Sequence, residues 1–94
     1  MTKKCILFLK ELGLDASEVE FLLTDNALLE SCTDEDIIAN INLVISYGYP
    51  KADMATLLMV NPHFLLLSKE TLEASLKAID GDVEEALKEN PYLI

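Results

Sequence analysis

The sequence predicts an all-α chain, a short right-packed stack of about two and a half helix–turn–helix repeat units joined through Asn-Pro 3₁₀ turns. Three observations carry this. Apolar residues recur at three- and four-residue spacing with no sustained alternation, which is the period of an amphipathic helix and not of a strand. Capping residues and helix breakers punctuate the apolar stretches at regular intervals. The chain also aligns with itself when Gly13 is laid on Gly48, without a gap.

The first helix is expected over residues 3–12, stopping at Gly13. Its run Cys5-Ile6-Leu7-Phe8-Leu9 is too short for a secretion signal core or a membrane span, and no membrane role is expected. Asp15 followed by Glu18 has the form of a capping box, opening a second helix with Val19, Leu22 and Leu23 inward and Phe21 flanking; Asn26 is expected to close it. Thr33 ahead of Asp34-Glu35-Asp36 caps a third helix that carries Ile37, Ile38, Ile41, Val44 and Ile45. It ends at Gly48, a residue suited to the left-handed position after a helix.

Pro50 is expected to open a fourth helix, with Met54, Leu57 and Leu58 facing the core. The residue before a proline is pushed out of the helical region, so Asn61-Pro62 ends that helix. The same pair starts a tight turn, with Asn61 as its cap, over His63-Phe64-Leu65-Leu66-Leu67. Ser68 caps a fifth helix holding Leu72, Leu76 and Ile79, which Asp80-Gly81-Asp82 breaks. A last helix with Val83, Ala86 and Leu87 runs into Asn90-Pro91 and Tyr92-Leu93-Ile94.

The self-alignment pairs Leu22 with Leu57, Leu23 with Leu58, Asn26 with Asn61, Glu35 with Glu70 and Ala39 with Ala74. Caps agree in kind (Thr33 with Ser68), as do core positions (Val19 with Met54, Ile37 with Leu72, Ile41 with Leu76, Val44 with Ile79). A shorter shift lays Leu58 on Leu87, Asn61-Pro62 on Asn90-Pro91 and Phe64-Leu65 on Leu93-Ile94. One domain over residues 1–94 is therefore expected, with an N-terminal helix and units at about 13–47, 48–79 and 80–94.

The segment Tyr47-Gly48-Tyr49-Pro50, with Asp53-Met54, Leu57-Leu58, Asn61-Pro62, Leu65-Leu66-Leu67-Ser68 and Leu72, resembles the repeat of the mitochondrial transcription termination factors. The resemblance covers residues 12–94 and is best over 47–79. It implies paired helices with a proline-introduced 3₁₀ turn and, at the level of function, nucleic-acid binding through a basic concave groove. The first unit departs from the pattern at Ala27, where the family has proline. A second, shorter resemblance is to ubiquitin-associated domains, through Asp80-Gly81-Asp82-Val83-Glu84-Glu85-Ala86-Leu87 and Tyr47-Gly48-Tyr49-Pro50.

Charge points away from nucleic acid. Seventeen acids face seven bases for a net charge of −10, and every base is lysine. A phosphate backbone needs basic contacts, and arginine is the residue best shaped for bidentate ones. A protein partner or self-association is expected instead, with a transcription-termination-type regulator as the alternative. The predicted contact residues are Tyr47 and Tyr49 at one helix end and Tyr92, Leu93 and Ile94 at an uncovered repeat end.

Neither catalysis nor a cofactor is expected. His63 is the single histidine and no serine or cysteine partner lies at helical spacing from it. The acids at 34–36 and 80–85 read as helix-start residues; the twelve-residue calcium loop pattern is missing. Cys5 and Cys32 in apolar helical surroundings read as free thiols of a cytoplasmic protein.

Overall fold

A computed structural model describes residues 2–25 and 32–94. These residues form six α-helices and three 3₁₀ turns: α1 (Lys3–Glu11), α2 (Ala16–Leu23), α3 (Asp34–Ser46), η1 (Lys51–Asp53), α4 (Met54–Val60), η2 (Pro62–Leu66), α5 (Lys69–Lys77), α6 (Val83–Glu89) and η3 (Pro91–Leu93). The fold class is all-α. The expected roles of Asn26 and Ala27 fall on residues outside those described.

The helix starts are fixed by local chemistry. Asp15 accepts from the Glu18 amide at 2.8 Å while Glu18 accepts from the Asp15 amide at 2.9 Å, so two amides without helical partners are satisfied reciprocally. Thr33 and Asp36 repeat the arrangement at the start of α3. Ser68 and Asp82 cap α5 and α6 through the amides of Thr71 and Glu85.

Two helix ends match in detail. In α1, Gly13 sits at φ 103°, its amide donates to Lys10 O at 3.0 Å, and the Leu14 amide donates to Leu9 O at 3.2 Å. In α3, Gly48 sits at φ 111°, its amide donates to Ile45 O at 3.0 Å, and the Tyr49 amide donates to Val44 O at 3.4 Å. Both are Schellman ends, in which only glycine takes the left-handed position without strain. In each, the residue after the glycine is buried with the helical residue it bonds: Leu14 with Leu9, Tyr49 with Val44.

Two sequence expectations are corrected here. Pro50 does not lie inside a helix; it sits in extended conformation (ψ 133°) ahead of η1, and α4 begins only at Met54. Asn61 does not cap η2 with its side chain. Its amide group reaches across the fold, donating to Pro91 O at 3.0 Å and Ile94 O at 3.2 Å.

The core follows the expected apolar positions. Val19, Leu22, Ile37, Ile41, Val44, Met54, Leu57, Leu58, Leu72, Leu76 and Leu87 are all buried, and η2 adds Phe64 and Leu65. Burying a side chain of this size contributes roughly 1.5–3 kcal/mol. Ile79 falls beyond the end of α5 and is half-buried. Leu66 is exposed, so the Leu65–Leu67 turn offers only part of its apolar surface to the core.

Helix α3 packs against α1, α5 and η2. Its Asn40, 3% exposed, donates to the carbonyls of Phe64, Leu65 and Leu67 at 3.4, 3.3 and 2.9 Å. The first two carbonyls belong to the short turn η2 and the third to Leu67 just after it, where the pairing of a 3₁₀ turn cannot satisfy all of them. At the other end of α3, Asp34 accepts from the Thr2 amide through both carboxylate oxygens, at 3.1 and 3.0 Å, and from the Thr2 hydroxyl, which ties the start of α1 to α3.

Candidate interaction surfaces

The five residues expected to make contacts separate into two groups. Tyr49 is 4% exposed and belongs to the core, which corrects its assignment as an accessible contact. The Schellman end of α3 turns its side chain inward against Val44, and its hydroxyl donates to Asp53 O at 3.4 Å. Burial, with the Asp53 carboxylate adding to it, pushes the phenol above its ordinary pKa. The equivalence of Leu14 and Tyr49 under the repeat shift was the signal for this. Tyr47 is half-buried, packed against the core.

The other three gather at η3. Tyr92 and Leu93 are 67% and 44% exposed, and Ile94 is half-buried with its carbonyl held by Asn61. The Tyr92 hydroxyl donates to Val60 O at 3.3 Å, holding the ring beside Val60, itself exposed. A shallow hollow of about 130 Å³ lies between Tyr49, Leu57, Val60, Leu87, Lys88 and Pro91. A second, of about 230 Å³, borders Leu93 with Ile79 and Ala86. Leu93 borders one of these hollows, and Val60 and Pro91 the other.

A groove of about 570 Å³, which sequence reasoning missed, is lined by Lys3, Lys4, Leu7, Phe8, Glu11 and Ile38. Leu7 is 52% exposed there. The exposure of Leu7 alone was legible: Cys5 and Leu9 form the buried stripe of α1, Leu12 continues it just past the helix, and Leu7 stands off it. A third depression of about 330 Å³ lies between α3 and the start of α5, lined by Cys32, Asp36, Asn40, Leu66, Ser68 and Lys69 among others.

Several titratable groups are engaged in the fold. His63 pairs through Nε2 with Asp25 Oδ2 at 2.7 Å, a partner far away in sequence that no local pattern could reveal. The Cys32 thiol donates to Leu65 O at 3.2 Å, and burial raises its pKa, which disfavours the nucleophilic thiolate. Cys5 is buried and its thiol is pushed up to about 11, by burial first and by Asp34 second. Lys88 bridges Asp53 at 2.9 Å and Glu84 at 2.8 Å, and Lys77 pairs with Glu73 at 3.5 Å. Among the described residues, no group of three or more His, Cys, Asp or Glu side chains is placed to hold a metal ion, and no helix is long and apolar enough to cross a membrane.

No family model matches the chain. No solved structure matches it. Across 92 residues, 98% of this chain, it is 28% identical to "Transcription termination factor 3, mitochondrial" of Rattus norvegicus. The chain spans only 22% of the length of that relative. The similarity is a distant one to the same family as the repeat resemblance, and it extends over nearly the whole chain.

Proposed function

We propose that this chain is a non-enzymatic helical-repeat module that works through protein contacts. The observation that carries this reading is the surface at η3, where Tyr92 and Leu93 stand exposed beside Val60 between two hollows. Such a surface costs free energy in water and is stabilised by a partner that covers it. The acidic balance of −10 favours a partner with basic groups around an apolar centre.

The alternative is a nucleic-acid-associated regulator, supported by the name of the rat relative. Against it stand the net charge, the lack of arginine and the engagement of Lys77 and Lys88 with carboxylates. The two readings separate in one pair of measurements. Under the first, Tyr92→Ser with Leu93→Ser abolishes association with a protein partner or with itself while leaving the melting midpoint nearly unchanged, and DNA and RNA are not retained at low salt. Retention of either nucleic acid at low salt, lost as salt rises, establishes the second reading in its place.

A further inference from the structure

The groove on α1 differs from the rest of the surface in charge as well as in shape. Helix α1 carries three lysines and one glutamate in a chain that is otherwise strongly acidic. Among the described residues, Lys3 and Lys4 take part in no ion pair. They occupy the first turn of α1, where the helix dipole disfavours cations, and no acid shares that turn. The Asp34 carboxylate at the Thr2 amide supplies negative charge at that end of the helix, and Lys3 and Lys4 stand exposed beside the exposed Leu7.

A complementary knob lies on the same chain. Phe21 of α2 is 54% exposed, second only to Tyr92 among the exposed large apolar side chains of the described residues and just ahead of Leu7 at 52%. Helix α2 carries Glu18 and Glu20 and no base, and the flanking Asp15 and Asp25 extend that charge. Two copies of the groove facing each other would set lysine rim against lysine rim, so like meeting like is disfavoured. The Tyr92 hydroxyl is already spent on Val60 O, whereas Phe21 is not packed against the core.

We infer that this groove, lined by Lys3, Lys4, Leu7, Phe8, Glu11 and Ile38 with two cations against one carboxylate, receives the Phe21 face of α2 from a second copy of the chain. Phe21 enters the apolar floor, and Glu20 meets the lysine rim. The inference rests on the protein-contact reading and names the partner and a second surface for it.

Light scattering over a concentration series tests this on the intact chain. The wild type is expected to rise with concentration toward twice the mass of one chain. Leu7→Ser and Phe21→Ser should each weaken association at least about tenfold, the scale of one lost apolar contact of this size, without lowering the melting midpoint. Lys3→Glu with Lys4→Glu should abolish pairing, and an unchanged melting midpoint separates this from a loss of folding caused by repulsion from the Asp34 carboxylate at the start of α1. Mixing Lys4→Glu chains with Glu20→Lys chains should restore pairing that neither shows alone. A wild type that stays monomeric to millimolar concentration overturns the inference, as does a dimer indifferent to these five substitutions. A monomer that still takes a different protein through Tyr92 and Leu93 overturns this inference alone and leaves the protein-contact reading standing, while nucleic-acid retention overturns that reading itself.

Discussion

The turns at Asn61-Pro62 and Asn90-Pro91 share a backbone and differ in what they hold. Asn61 has φ −140° and ψ 75°, Asn90 φ −142° and ψ 94°. Each amide closes the preceding helix, Asn61 onto Leu57 O at 2.8 Å and Asn90 onto Ala86 O at 2.9 Å. The side chains then diverge. That of Asn61 is buried and donates to the carbonyls of Pro91 and Ile94, whereas that of Asn90 is exposed and accepts from the Tyr92 amide within its own turn. Three residues on, Phe64 is 1% exposed and Leu93 44%. The Asn-Pro pair thus dictates the turn locally, and the neighbouring element decides whether the turn becomes a structural joint or a surface.

The largest test of that contrast is truncation of the matched apolar residues. Phe64→Ala should cost about 3–5 kcal/mol in urea unfolding, the usual range for an aromatic core residue. Leu93→Ala should cost less than about 1 kcal/mol, since much of that side chain is already in water. Equal losses would mean that η3 is as much a part of the core as η2. Next come the asparagines: Asn61→Ala should cost about 1–3 kcal/mol because it leaves two carbonyls short of a donor, and Asn90→Ala about 0.5–1 kcal/mol as an exposed cap. A reversed order would break the comparison.

A smaller effect belongs to alkaline pH. The folded state holds the Cys5 thiol neutral, with its pKa raised from 9.0 to about 11. A buried acid whose pKa is raised stabilises the fold below its unfolded value and loses that contribution as pH climbs through the interval up to the folded one. Stability should therefore fall more steeply with pH between 9 and 11 in the wild type than in Cys5→Ala. Parallel pH profiles for the two proteins would show that the thiol is not held neutral by the fold.

Local signals in the sequence were faithful where the interaction spans a few residues. The capping pairs Asp15–Glu18 and Thr33–Asp36, the glycines at 13 and 48 and the apolar stripe of α3 follow from chemistry within one or two turns. Sequence reasoning went astray where a side chain had a local option and a distant one. Asn61 had a cap to make and took carbonyls of η3 and Ile94; Pro50 had a helix to open and was held in an extended link by the Schellman end before it. Of the five residues expected to make contacts, Tyr92 and Leu93 are exposed and Tyr49 is inside, and the α1 groove went unseen because it depends on how α1 lies against Ile38.

Asn40 bears on errors of assembly. Helices with similar apolar stripes have many nearly equivalent ways to pack, since one stripe fits another after a slip of one turn. A slip of α3 by one turn moves Asn40 by about 5.4 Å, beyond reach of the Phe64, Leu65 and Leu67 carbonyls it serves. The misplaced pairing would then hold an unpartnered amide in apolar surroundings and strand the carbonyls of η2 as well. A leucine at this position would fit several alignments equally, whereas the asparagine is satisfied in only one of them.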